Sequence, residues 1–240
     1  MHCTAAQIHG YDYKFFHAAK LDDHWDTWVK VGSIADMLHE YRFVVFLDAD
    51  CIIPHLEIPI EWLMNRWNVT ANTSLAVSSD VEFGEGRSHD SKGNVMVNTG
   101  FMIAQQLPHT FEMFDAWSNC TNEERYPGCG RWKHEWAHEQ RAFSEYIRYD
   151  YNPNHNIIEI PCEDASGFPG HPDWIESACE GTFVTHYTVD KGMVKSAIAN
   201  SLMQDLVDVV QKDISSHKSL MVVEKSSVQD EENEKEEKDG

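Results

Sequence analysis

The sequence predicts an α/β fold with a buried central sheet whose chemistry sits at the strand ends. The unbroken run Phe43-Val44-Val45-Phe46-Leu47 is short, β-branched and aromatic, as a strand covered on both faces requires. Further short apolar runs at 75–77, 95–103 and 157–160 alternate with stretches of helical spacing. The first run also ends directly in Asp48-Ala49-Asp50, two carboxylates at a strand exit, where open α/β sheets place their ligands.

Taken in order, Gly10 closes a helix that has barely begun, and residues 11–16 read as a short strand. No strand precedes that helix, so the usual opening strand of an α/β domain is expected to be missing. Trp28, Val31, Ile34 and Leu38 mark an amphipathic helix over 25–39, with Lys30 on its solvated surface. Pro54 and Pro59 punctuate a loop before a short helix at 60–67, and 75–77 is a second buried strand ending in Ser78-Ser79-Asp80. Residues 83–94 read as a loop, and the strand at 95–103 is interrupted by Asn98-Thr99-Gly100. Pro108 opens a helix whose Phe111, Phe114 and Trp117 face the core, and 119–131 is a Gly/Pro/Cys loop. A helix over 135–148, a strand at 157–160, an ordered loop at 161–174 and a strand at 183–187 follow. Apolar residues at 194, 198, 202, 206, 209 and 210 define a last helix. The reading is one domain over 1–214 and an acidic, disordered tail over 215–240.

Composition narrows the partners. The formal charge is −21, and residues 224–240 alone carry eight acids against three lysines. An acidic body excludes the clustered Lys and Arg that a nucleic-acid backbone needs, but not a phosphate carried by a metal ion. The six cysteines show no CxxC spacing, so a structural zinc site is not expected. Cys120/Cys129 and Cys162/Cys179 lie in loop-like regions and fit disulfides or free thiols equally well. Glycosylation sequons begin at Asn68, Asn72 and Asn119, a number close to chance. No signal peptide or membrane-length apolar run is visible, so the chain reads as soluble.

Four polar clusters share one topological address, at strand exits or beside them: Asp48/Asp50, Asn98-Thr99-Gly100, His138-Glu139-Gln140, and His186 with Lys191. Each has an ordinary reading, as turn residues, a β-bulge, an exposed helix face and a core histidine. Together they suit a hard divalent ion held by two carboxylates and one imidazole, with open positions for phosphate oxygens. A lysine five residues after the histidine can reach the same phosphates.

Phe46-Leu47-Asp48-Ala49-Asp50, preceded by His9-Gly10-Tyr11, resembles the Asp-x-Asp region of nucleotide-sugar glycosyltransferases of the single-domain, Rossmann-like A fold. Asn98-Thr99-Gly100-Phe101, Asp115-Ala116-Trp117, His138-Glu139-Gln140 and Val184-Thr185-His186-Tyr187 with Lys191 are similar, in the same order, to motifs of the galactosyl/xylosyl/mannosyltransferase family 34 of fungi and plants. The resemblance spans roughly residues 5–195. It implies a central mixed sheet and a Mn²⁺ (or Mg²⁺) ion bound by Asp48, Asp50 and His186. It further implies a nucleoside-diphosphate sugar steadied by Lys191, with Asn98, Glu139 and Gln140 on the acceptor or reacting-carbon side. The family transfers a hexose or pentose with retention of configuration to a glycan or glycoprotein and works in the Golgi, held by a membrane anchor that is not expected within these 240 residues.

The chain departs from the family pattern at His138, where an acid is usual, and at Thr188-Val189-Asp190, where a glycine is common and Asp190 sets a negative charge beside Lys191. Two other classes stay open. A haloacid-dehalogenase-type phosphatase would use Asp48 and Asp50 as nucleophile and acid/base, although that motif normally opens its chain and predicts no His186/Lys191 pair. A transferase-like binding protein without turnover is the other.

Overall fold

The computed structural model describes residues 2–82, 84–167, 169, 170, 175 and 179–218. The chain divides into two compact units, 1–198 and 199–240. In the first, helix α1 (His2–His9) is followed by α2 (Val29–Met37), entered through a 3₁₀ turn at Asp26–Trp28. Strands β1 (Phe43–Leu47) and β2 (Cys51–Ile52), helix α3 (Ile60–Arg66) and strands β3 (Leu75–Ser79) and β4 (Val97–Gln105) come next. Helix α4 (Pro108–Ser118) precedes a helical stretch built of α5 (His138–Ala142), a π turn (Phe143–Ile147) and α6 (Arg148–Asp150). Strands β5 (Ile157–Ile160) and β6 (Thr185–His186) complete the list before α7 (Met193–Ser216), which runs on into the second unit. The tail expected over 215–240 falls mostly outside the described residues, as do residues 168 and 171–174 of the loop at 161–174.

The sheet is mixed, as the sequence implied. Its order is β1-β4-β3-β5, with β4 antiparallel to both neighbours and β3 parallel to β5. Side chains alternate across it as strand pleating requires. Leu75, Val77, Met102 and Ala104 pack with Ile34 of α2, Phe114 and Trp117 of α4 and Phe143 of the π turn. Ala76, Phe101 and Ile103 face the other way, onto Leu63 of α3 and Trp67. Burying apolar surface at about 25 cal/mol per Å² on both faces makes this sheet the scaffold of the unit.

Three readings are corrected. Strand β1 is covered on both faces but not fully buried: it is the edge of the described sheet, and all five of its residues are half-buried. Its apolar run reflects contact with both layers, Val44 and Phe46 on one and Phe43, Val45 and Leu47 on the other. Residues 11–16 form no strand, because Phe15 and Phe16 project into solvent and have no neighbouring strand to pair with. The helix expected from 135 begins only at His138, which adopts a left-handed φ of 54°.

Asn98-Thr99-Gly100 does not break its strand. Strand β4 runs through it, but pairing with β3 jumps from Val77↔Met102 to Ser78↔Asn98. That irregularity leaves Thr99, Gly100 and Phe101 of β4 without partners in β3. Disulfides link Cys120 to Cys129 and Cys162 to Cys179, with Cα atoms 5.8 and 5.5 Å apart. Among the described residues, no helix is long and apolar enough to cross a membrane.

Candidate active site

The antiparallel course of β4 brings its beginning to the edge where β1 and β3 end. Asp48, Asp80 and Asn98 therefore meet at one end of the sheet. The β2–β6 ribbon, pairing Cys51 with His186, carries the histidine to the same place. A cavity of about 950 Å³ opens there.

His186 is buried and held from two sides. Its Nδ1 lies 3.0 Å from Asn98 Oδ1, and its Nε2 lies 3.2 Å from Asp50 Oδ1 and 4.0 Å from Asp48 Oδ2. Asn98 is oriented by its other bonds: Oδ1 accepts from Gly100 N–H, and Nδ2 donates to Asp80 Oδ1 at 2.9 Å. Asn98 Oδ1 is thus fixed as an acceptor, and the proton of a neutral His186 sits on Nδ1. A neutral ring would thus turn its Nε2 lone pair toward the two aspartates, the orientation a metal-ligating imidazole needs, whereas without a metal the ring's raised pKa keeps a proton on Nε2, directed at Asp50 Oδ1.

Gly100 makes this possible by close approach. A Cβ there would lie 2.1 Å from His186 Cε1, so any side chain displaces the ring.

The site holds positive charge between its carboxylates. Burial works against a charge on His186, yet Cys51 and the Asp50 carboxylate outweigh it and raise its pKa to about 10. Burial likewise opposes ionisation of Asp50, but His186 and Lys191 hold its carboxyl well below the usual range. Lys191 Nζ lies 2.9 Å from Asp50 Oδ2 although its side chain is largely exposed. Asp190 does not compete for it: Asp190 Oδ1 accepts from Gly192 N–H in the turn before α7. Among the described residues, the ligand atoms that lie within 4.8 Å of one another are those of Asp50, Cys51 and His186, while Asp48 Oδ2 stands 4.0 Å from His186 Nε2 and is paired with Lys30. Asp50 and His186, with Asp48 drawn in from Lys30, would supply the two carboxylates and the imidazole nitrogen that suit Mn²⁺ or Mg²⁺.

Two residues of this cluster were not legible as such in the sequence. Lys30, expected on a solvated surface, is buried. Its Nζ lies 2.9 Å from Asp48 Oδ2 and 3.4 Å from Glu139 Oε1, and donates to Thr99 O. Burial lowers its pKa, but Glu139 and Asp48 more than reverse this, so the ammonium persists. Its one signal is position, four residues before Ile34 and so at the border of the apolar face of α2. Asp80 is also buried, accepting from Asn98 Nδ2, Gln140 Nε2 and Val81 N–H. Burial dominates over these bonds and raises its pKa to about 6. Its signal was the one carried by Asp48, an acid at a strand exit.

The other expected residues converge as well. Glu139 is buried rather than on an exposed helix face. It accepts from Thr99 Oγ1 at 2.9 Å and from Thr27 Oγ1, and Trp117 Nε1 donates to its main-chain carbonyl. Gln140 is half-buried and bridges Asp80 and the Thr99 N–H. His138 does not join them. Its ring stacks on Trp25, centroids 4.8 Å apart with parallel planes. Cys51, a buried thiol donating to Gly100 O at 3.2 Å, lies close to Asp50 and His186.

No protein-family model and no curated protein matches the chain. Among solved structures, it resembles the crystal structure of a glycosyltransferase involved in the glycosylation of the major capsid of PBCV-1. The likeness has a TM-score of 0.56 at 14% identity, over 80% of this chain and 85% of that one. The two share the α/β fold with a mixed central sheet.

Proposed function

We propose that this protein is a metal-dependent retaining glycosyltransferase moving a hexose or pentose from a nucleoside-diphosphate sugar to a glycan or glycoprotein, akin to family 34. One observation carries the reading. Asp48, Asp50 and His186 converge, with Asn98 fixing the imidazole tautomer, on the fold of a known glycosyltransferase. A Mn²⁺ or Mg²⁺ ion held by these three residues would act as Lewis acid for the departing diphosphate. Lys191 is the second positive charge for that diphosphate and would exchange Asp50 for a phosphate oxygen.

Retention is assigned to same-face attack. The acceptor hydroxyl oxygen bonds to the anomeric carbon as the carbon–oxygen bond to the diphosphate breaks, and the hydroxyl proton passes to the departing phosphate oxygen. Glu139 is already tied to Lys30, Thr27 and Thr99, and Gln140 is a poor nucleophile, so neither suits a covalent intermediate. Both serve better as fixed dipoles and charge beside the developing positive charge. Asp80 is suited to accept from a sugar hydroxyl.

Both aspartates of the Asp-x-Asp pair are engaged by cations, Lys30 on one and Lys191 with His186 on the other, which disfavours the phosphatase reading. The two disulfides support an oxidising, secretory compartment such as the Golgi. The test is a screen of UDP- and GDP-sugars for Mn²⁺-dependent hydrolysis. Release of nucleotide that EDTA abolishes supports the proposal. Hydrolysis of an aryl phosphate abolished by Asp48→Asn overturns it.

A further inference from the structure

The lining of the cavity holds two chemically different groups of side chains. One is the charged cluster around Asp50. The other is formed by Trp25, Trp136 and His138. Trp25 and Trp136 are 53% and 52% exposed, so both indoles present apolar surface to solvent at the cavity.

Trp25 is held in place rather than loosely displayed. Its N–H donates to Lys133 O at 2.8 Å, its carbonyl accepts from Trp28 N–H, and its ring is stacked on His138. The left-handed backbone at His138, rare for a residue with a Cβ, sets that ring over the indole. Trp136 lies two residues before His138.

These aromatic residues adjoin the middle of the site, not the diphosphate end. Thr27, two residues after Trp25, bonds Glu139, and His138 immediately precedes it. Glu139 connects through Lys30 to Asp48. Trp25 and His138 thus adjoin residues that contact Glu139 and, through Lys30, Asp48, whereas Lys191 contacts Asp50. A ligand that puts its phosphates by Asp50 and its reacting carbon by Glu139 and Gln140 presents its other reactant to this aromatic shelf.

We infer that Trp25 and Trp136 form a stacking subsite for a pyranose ring of the carbohydrate acceptor, an inference that rests on the transferase reading. A pyranose offers an apolar C–H face to an indole and equatorial hydroxyls to a polar rim, here Arg87. The subsite binds acceptor and leaves the donor untouched.

The test compares the full chain with Trp136→Ala and Trp136→Phe. Hydrolysis of UDP- and GDP-sugars is measured with Mn²⁺, as is transfer to methyl glycosides and disaccharides of glucose, galactose and mannose. Trp136→Ala is expected to lose roughly tenfold in kcat/KM for transfer, chiefly through KM, the loss of one stacking contact. Donor hydrolysis should stay within about twofold, and Trp136→Phe should recover most of the transfer, since one aromatic face remains. Unchanged transfer in Trp136→Ala overturns the subsite alone. Loss of donor hydrolysis and of UDP or GDP binding together also overturns it, by assigning the shelf to the nucleotide base. If the wild-type chain hydrolyses no donor, glycoside quenching of tryptophan fluorescence decides. Quenching lost in Trp136→Ala keeps a sugar site while the transferase reading fails, and absence of quenching removes both.

Discussion

Asp50 and Asp80 stand just past β1 and β3, the two strands that flank β4, and both are buried, yet their surroundings act in opposite directions. Asp50 faces His186 and Lys191, and these cations keep it ionised. Asp80 faces amides, Asn98 Nδ2 and Gln140 Nε2, whose bonds do not overcome burial, so its pKa rises to about 6. One side chain bridges the two environments: Asn98 accepts from His186 on one side and donates to Asp80 on the other. Two carboxylates at equivalent exits thus acquire two tasks, a permanent anion for a cation and a group able to exchange a proton near neutral pH.

The largest expected effect is on the charged side. Asp50→Ala or His186→Ala should weaken Mn²⁺-dependent binding of UDP or GDP by roughly a hundredfold or more, as loss of a metal ligand does, measured by calorimetric titration. Circular dichroism should stay native. Binding within a few-fold of wild type would remove that residue from the site.

Lys30→Ala should come next, because it leaves Asp48 and Glu139 facing each other without their cation. Breaking a buried pair costs about 3–5 kcal/mol, read as a lowered urea midpoint. A cost below about 1 kcal/mol would mean that water or a rearranged side chain already compensates these charges.

Asp80 gives a smaller effect with a defined sign. Its pKa is raised on folding, so its contribution to stability is complete below the unfolded value near 3.8 and is lost as pH rises through about 6. The shift of about two units corresponds to about 3 kcal/mol. Asp80→Asn should abolish that fall between pH 4 and 7 while reducing transfer or donor hydrolysis. Parallel stability–pH curves for wild type and variant would contradict the contrast with Asp50. Lys191→Ala should act least: its exposed side chain contributes little to stability, and nucleotide affinity should drop by roughly threefold to tenfold. Unaltered affinity would take Lys191 out of the diphosphate contact.

Legibility in the sequence followed from how local each signal is. Strand β1 and its two aspartates were readable because an apolar run and the acids ending it are contiguous. The close approach at Gly100 could be suspected from a glycine within a strand, but its reason, the His186 ring, lies 86 positions away. Lys30 misled because a lysine in an amphipathic helix is usually solvated, and only the return of Asp48 and Glu139 to its side buries it. Asp80 went unassigned because an acid after a strand is usually a turn residue, and the amides that mark it come from β4 and α5. The strand expected at 11–16 failed because aromatic composition favours a strand only where a neighbour exists to pair with it. His138 sat within the right motif but is engaged with Trp25, on whose ring its own is stacked.

The central claim is that Asp48, Asp50 and His186 form one cation-dependent nucleotide site. Thermal unfolding of the wild-type chain and of His186→Ala, each with UDP and with GDP in the presence of Mn²⁺ or EDTA, tests it most directly. The account expects one nucleotide to raise the wild-type midpoint only with Mn²⁺, and His186→Ala to fold but show no such rise. No rise with either nucleotide in the wild type, or an equal rise in His186→Ala, would contradict it.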